Sequence, residues 1–175
     1  MVMKKCLIIY STTDGHTKKI CEHIIDQLEG LQETVLMTIS DTSQEELTKY
    51  DNIIVGASIR YGKHKKEVHE FIKKNIDAIN SKKNYFFSVN AVARKDNKNT
   101  PETNPYVIKF LKQTAWNPTF TGVFGGKVDY PKYRFFDKHI IRFIMWLTNG
   151  PTDITKSYEF TDWNSVTTFS KKIAI

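Results

Sequence analysis

The stretch that most constrains this chain is its opening run, Lys5-Cys6-Leu7-Ile8-Ile9-Tyr10, which breaks at once into Ser11-Thr12-Thr13-Asp14-Gly15-His16-Thr17. An apolar segment ending in small hydroxyl residues around one glycine predicts a buried strand that feeds a loop at the start of a helix. In a doubly wound sheet that loop lies at the carboxyl edge, where free helix N–H groups and the helix dipole favour an anion. Ser11, Thr12, Thr13 and Thr17 add hydroxyls to the ring of amides. Neither the Walker lysine nor a Gly-x-Gly-x-x-Gly pattern is present. The ligand implied is a mononucleotide held by hydroxyls and backbone, with an ordinary strand-to-helix turn as the alternative.

The rest of the chain repeats this alternation. Ile20, Cys21, Ile24, Ile25 and Leu28 recur at helical spacing before Gly30, and Glu33 to Ser40 reads as a second strand. Asp41-Thr42 is the expected cap of a short helix around Glu45 to Lys49. Asn52 to Ala57 is a third strand that empties into Ser58-Ile59-Arg60-Tyr61-Gly62-Lys63, followed by a helix with Val68, Phe71, Ile72, Ile76 and Ile79 on one face. Tyr85 to Asn90 is a fourth strand, ending at Ala91-Val92-Ala93. A helix patterned by Tyr106, Val107, Phe110 and Leu111 leads to a fifth, Phe120 to Phe124. Strands and helices alternating in this way predict a parallel sheet with right-handed crossovers. Three strand ends then converge on one rim.

The alternation stalls between Lys127 and Ser157. Tyr158-Glu159-Phe160 resumes a short strand, and Thr161-Asp162-Trp163 caps a last helix through Phe169. Within this 127–157 insertion, Phe135 to Leu147 is a helix candidate. Its wheel gathers Phe136, Ile140, Phe143, Ile144 and Leu147 on one side, sets Phe135 and Trp146 at the far edge and leaves Ile141 and Met145 in the polar arc. One packed face cannot satisfy all of them. Six basic side chains, Lys127, Lys132, Arg134, Lys138, Arg142 and Lys156, stand against Asp129, Asp137 and Asp153. Apolar bulk with a positive rim suits a membrane interface or an amphiphilic anionic ligand. The competing readings are a helix that covers the sheet edge with its aromatics in the core, and a helix for a protein partner's groove.

At 175 residues the length suits one domain, 1–175, and 40% hydrophobic with 26% charged residues is ordinary for a folded chain. The formal charge of +7 favours anionic partners. Cys6 and Cys21 lack metal or Cys-x-x-Cys spacing and read as buried reduced thiols. His16, on the loop surface, His23 and His69, exposed on helices, and His64 and His139 form no metal spacing, so no metal is expected. Met1-Val2-Met3 precedes the first strand without an apolar leader, and a cytoplasmic location is expected.

Ser11 to Thr17 resembles the phosphate loop of flavodoxins. Val55-Gly56-Ala57-Ser58-Ile59-Arg60-Tyr61-Gly62, Ser88 to Lys95, Thr100-Pro101-Glu102-Thr103-Asn104, Tyr130-Pro131-Lys132-Tyr133-Arg134 and Thr161-Asp162-Trp163 are similar to segments of the menaquinone-dependent protoporphyrinogen oxidases, flavodoxin-like FMN enzymes of haem synthesis. The similarity runs over almost the whole chain. It departs from the family pattern at Lys127-Val128-Asp129 and at Thr148-Asn149-Gly150-Pro151.

The resemblance implies an α/β flavodoxin-like three-layer sandwich, with a five-stranded parallel sheet in order 2-1-3-4-5 and a helical insertion near the fifth strand. It implies FMN held by Ser11, Thr12, Thr13, Asp14, Gly15, His16 and Thr17 at the phosphate, and by Ser58, Ile59, Arg60, Tyr61, Asn90, Ala91, Val92 and Ala93 at the ribityl chain and ring. Arg60 is the candidate for tuning the flavin, since a cation beside the ring favours added negative charge. The implied reaction takes protoporphyrinogen IX to protoporphyrin IX, with electrons passed to menaquinone or ubiquinone. The expected place is the cytoplasmic face of the inner membrane, by peripheral contact. Substrate or membrane candidates are Arg94, Lys95, Lys132, Arg134, Arg142 and Trp146. The alternative is a flavodoxin-type electron carrier that docks on protein partners; such carriers are acidic around the flavin, and this chain is basic. A nicotinamide-dependent quinone reductase has no sequence signal here, and nucleic-acid binding rests on charge alone and is not expected.

Overall fold

A computed structural model describes residues 3–174 of the chain; Met1, Val2 and Ile175, which the reading of 1–175 as one domain includes, lie outside the described residues. The five parallel strands are β1 (Lys4–Ser11), β2 (Gln32–Thr38), β3 (Asn52–Arg60), β5 (Lys83–Asn90) and β6 (Phe120–Gly125), side by side in the order β2-β1-β3-β5-β6. Numbered among themselves they run 2-1-3-4-5, as expected. Strand β4 (Lys63–His64) is an addition the sequence did not announce, pairing antiparallel with the end of β3 through Ile59–His64 and Arg60–Lys63.

The helices are α1 (His16–Leu28), α2 (Gln44–Leu47), α3 (Lys66–Asn80), α4 (Pro105–Thr114), α5 (Phe135–Leu147) and α6 (Trp163–Ile173). Period-two alternation divides the core into two layers. Leu7, Ile9, Ile53, Val55 and Phe86 pack with Val68, Ile72, Val107 and Phe110 of α3 and α4. Cys6, Ile8, Ile54, Tyr85 and Phe87 pack on the other face with Ile20, Ile24, Val166 and Phe169 of α1 and α6. Both cysteines are free and buried.

Two boundaries differ from expectation. Strand β2 stops at Thr38, whose hydroxyl caps a 3-10 turn over Ile39–Asp41, so Asp41-Thr42 caps no helix; Ser43 instead accepts from the Glu46 N–H at the start of α2. The short strand expected over Tyr158–Phe160 is present but starts and ends one residue earlier. Strand β8 (Ser157–Glu159) forms an antiparallel ribbon with β7 (Lys127–Asp129), clamping the two ends of the insertion together.

Helix α5 has the expected bounds, and its two apolar stripes divide between the inside and the outside. Met145 is buried against Val128 and Tyr130, with Ile141 packed beside it. The face with more apolar bulk points outward, with Phe136 79% and Trp146 64% exposed and Phe135, Ile140, Phe143 and Leu147 exposed too. The reading in which those aromatics are core is therefore overturned. Their inner side is filled by the smaller 141/145 stripe, which the ribbon and Tyr130 can cover.

Candidate functional site

The carboxyl ends of β1, β3 and β5 meet α5 in one cleft, lined by Thr12, Thr13, Asp14, His16 and Thr17, by Ser58 to Gly62, and by Asn90, Ala91 and Val92. The loop after β1 turns on Gly15, whose φ of 84° lies in the left-handed region that glycine adopts without strain. The Thr12 hydroxyl accepts from the Gly15 N–H at 3.0 Å. No side chain caps α1, and the first intrahelical bond is from Lys19 N–H to the Gly15 carbonyl. The preceding amides of the first turn are therefore open to a ligand. Beside them the Thr17 hydroxyl is fully buried and has no hydrogen-bond partner. Native interiors rarely leave such a group unpaired unless a missing group completes it.

Not every loop residue joins this cradle. The Ser11 hydroxyl turns away and donates to Glu67 at 2.6 Å. Gly15 supplies the turn rather than a cleft wall. His16 is half-buried rather than a free surface side chain: its Nε2 donates to the Thr161 hydroxyl at 2.6 Å, which itself donates to the Gly125 carbonyl. Burial holds the His16 imidazole below its ordinary pKa, with Glu159 opposing and Lys19 and Lys127 reinforcing. Lys65 donates to the Thr12 carbonyl at 2.8 Å, bracing the loop from α3.

The second wall is the Arg60–Lys63 turn. Tyr61 and Gly62 have φ of 50° and 78°, the primed geometry that a two-residue hairpin needs. A tyrosine at the first position is uncommon and strained. Arg60 reaches Asp14 at 2.8 Å and Asp137 of α5 at 3.4 Å, and lies over the rings of Tyr61 and Tyr133 at 5.2 and 5.0 Å. The Tyr61 hydroxyl also donates to Asp137. Burial opposes the Arg60 charge, but Asp14 and the two tyrosines outweigh it and raise its pKa.

At the third wall Asn90 is a buried organiser. Its side chain accepts from the Ala93 N–H at 3.0 Å and from Asn104 at 3.1 Å, and donates to Ser88. Ala91 and Val92 face the cleft, whereas Ala93 turns into the core.

Arg94 lines the cleft but spends its guanidinium on the carbonyls of Ala91 and Thr148 at 2.7 and 2.6 Å, tying the end of α5 to the end of β5. Lys95, Lys132, Arg134, Arg142 and Trp146 are outside the cleft; Lys132 pairs with Asp129, and Arg134, Arg142 and Trp146 are exposed. Tyr106, Gly126, Lys127, Tyr133, Met145 and Thr148 line the cleft and were missed. Apart from Gly126, which follows β6, they come from helices and the insertion, where no local motif marks them; only the insertion's position near the rim pointed to them.

A mononucleotide fits this arrangement: unfilled first-turn amides, an orphaned hydroxyl and neighbouring threonines at one end, and a tyrosine- and methionine-lined slot at the other. The flavodoxin domain model matches residues 7–155. A Leishmania major protein, protoporphyrinogen IX dehydrogenase (quinone), is 44% identical over 172 residues, covering 97% of this chain and 74% of the relative. The protein of that name from Escherichia coli strain K12 is 40% identical, covering 97% of this chain and 94% of its own length. A solved structure of Flavodoxin 2 from Bacillus cereus superposes with a TM-score of 0.55 at 18% identity, covering 97% and 96% of the two chains, which shows the shared fold.

Proposed function

Because this chain belongs to the flavodoxin-domain family that includes the protoporphyrinogen IX dehydrogenases, we propose that it is an FMN-dependent oxidoreductase that takes protoporphyrinogen IX to protoporphyrin IX and passes the electrons to menaquinone or ubiquinone. The observation that carries the cofactor is the buried, unpaired Thr17 hydroxyl beside the open first turn of α1. When bound, FMN supplies a hydride- and electron-accepting ring.

The chain's own residues do the rest. Thr12, Thr13 and Thr17 and the first-turn amides hold the phosphate. Ser58 to Tyr61 and Asn90 to Val92 border the remainder. Arg60, fixed between two carboxylates, keeps a positive charge at the cleft. Ile141, Ile144 and Met145 of α5 close one side with apolar surface and exclude water.

The same reading places the protein peripherally on the cytoplasmic face of the inner membrane, as one domain over 1–175. Its support is the exposed apolar row Phe136, Ile140, Phe143 and Leu147 with Arg134, Lys138 and Arg142 on the same helix or its start. Among the described residues no helix is long and apolar enough to cross a membrane. The test is an anaerobic assay of the purified protein with protoporphyrinogen IX and a menaquinone analogue. Quinone-dependent porphyrin fluorescence is expected; a protein that binds flavin but forms no porphyrin above the blank is an electron carrier instead.

A further inference from the structure

A second cavity, of about 670 Å³, lies on the far side of the Arg60–Tyr61–Gly62 turn, between that turn and helices α3 and α4. Its size is that of a small-molecule site. Ile59 and Tyr106 supply apolar and aromatic surface over a floor of buried Phe110, while Lys63, Lys65, Lys66, Lys109 and His69 bring basic groups to it. The carboxylate that lines it, Asp137, is already engaged by Arg60 and Tyr61. Lys66 pairs with Glu70 at 2.8 Å, and Lys65 is held by the Thr12 carbonyl. Among the described residues, Lys63 and Lys109 have no carboxylate within ion-pair distance. Ile59, Arg60, Tyr61, Gly62 and Tyr106 line both this cavity and the cofactor cleft, so a ligand in one lies against the wall of the other.

We propose that this groove seats the porphyrinogen, with Lys63 and Lys109 pairing its propionates and the face of Tyr106 with Ile59 receiving the macrocycle. The inference rests on the reading of the chain as a protoporphyrinogen dehydrogenase and deepens it. An aromatic surface rimmed by uncommitted ammonium groups complements a flat apolar ring that carries carboxylates. The insertion's Arg134 and Arg142, by contrast, line neither cavity and sit with the outward face of α5. The carboxylate role therefore passes from the insertion to the β4 turn and α4.

The test compares FMN-loaded wild type with Lys63→Gln/Lys109→Gln and Arg134→Gln/Arg142→Gln, titrating each with protoporphyrin IX and with its dimethyl ester and reading porphyrin fluorescence. Exposed ion pairs of this kind are worth up to about five-fold each, so the lysine variant should lose roughly ten-fold in affinity for the free acid. It should bind the ester as wild type does and keep wild-type flavin content and thermal midpoint. A lysine variant that retains the preference for the free acid overturns the proposal, as does loss of that preference in the arginine variant. If wild type binds and oxidises its porphyrin substrate while the lysine variant behaves identically, the groove alone is wrong. If wild type neither binds porphyrin nor forms it, the functional reading fails with it.

Discussion

The guanidinium of Arg60 and the carboxylate of Asp137 approach to 3.4 Å, joining the turn after β3 to the first turn of the insertion helix. Asp137 also accepts from Tyr61, so one carboxylate holds both side chains of the cleft wall. Asp137→Ala should cost at most about 1 kcal/mol in a urea titration, because the pair is partly exposed. The expected larger effect is local: α5 loosens from the turn, and limited proteolysis at Lys138 or Arg142 becomes faster than in wild type. Unchanged cleavage would show that the ribbon and Met145 hold the helix without this link.

Thr17→Val tests the phosphate end. The hydroxyl is fully buried without a partner, so in the flavin-free protein its removal should leave stability unchanged or raise it by about 1 kcal/mol. Toward FMN the same change removes a hydrogen bond to a charged group, worth about 1.5–3 kcal/mol, or roughly 10–100-fold in Kd. Flavin fluorescence quenching measures the second effect and thermal denaturation the first.

His64 gives a pH dependence. It is 3% exposed, bonded to Ser88 at 3.0 Å and packed against Phe110, and burial pushes its pKa down to about 3. The unfolded chain takes up that proton near pH 6.5 while the folded one does not, so this contribution is complete above pH 6.5 and is lost as the pH falls toward 3. Between pH 7 and pH 5 it amounts to about 2 kcal/mol. Urea titrations at the two pH values should show that loss in wild type and a smaller one in His64→Gln, where His16 and His69, both lowered chiefly by burial, still contribute in the same direction.

The outward face of α5 is accessible to substitution without disturbing the core. Phe136→Ser/Phe143→Ser/Trp146→Ser should leave flavin content and thermal midpoint intact, since all three side chains are more than half exposed. Burial of each ring in a membrane interface is worth about 1.5–3 kcal/mol, so partition onto anionic vesicles should fall by at least roughly ten-fold. Equal sedimentation of variant and wild type would remove the membrane role from this helix.

The sheet was legible because each parallel strand is a short apolar run bounded by turn residues, and its order followed from the family resemblance. Helix α5 was legible in extent, and the exposure of its bulkier face overturns only the alternative that put its aromatics in the core: periodicity ranks faces by apolar bulk, but what is buried depends on which surface the rest of the chain can cover. Here Tyr130 and Val128 cover Met145 and leave Phe136 and Phe143 outside. Strand β4 escaped because its turn uses Tyr61-Gly62 where asparagine–glycine is the recognisable signal. Arg94 reads from sequence as a free cation, and only the fold shows its N–H groups committed to two carbonyls. Tyr133 and Tyr106 reach the cleft through tertiary packing, which no local pattern encodes.

The most direct measurement mixes protoporphyrinogen IX anaerobically, without quinone, with FMN-loaded protein in more than about three-fold molar excess, because the six-electron oxidation fills three two-electron flavins, and follows flavin and porphyrin absorption together. Loss of the yellow flavin band in step with appearance of porphyrin, and its return on adding a menaquinone analogue, is the expected result. A flavin band that stays unchanged while the protein remains folded and loaded would contradict the assignment of this cleft to porphyrinogen oxidation.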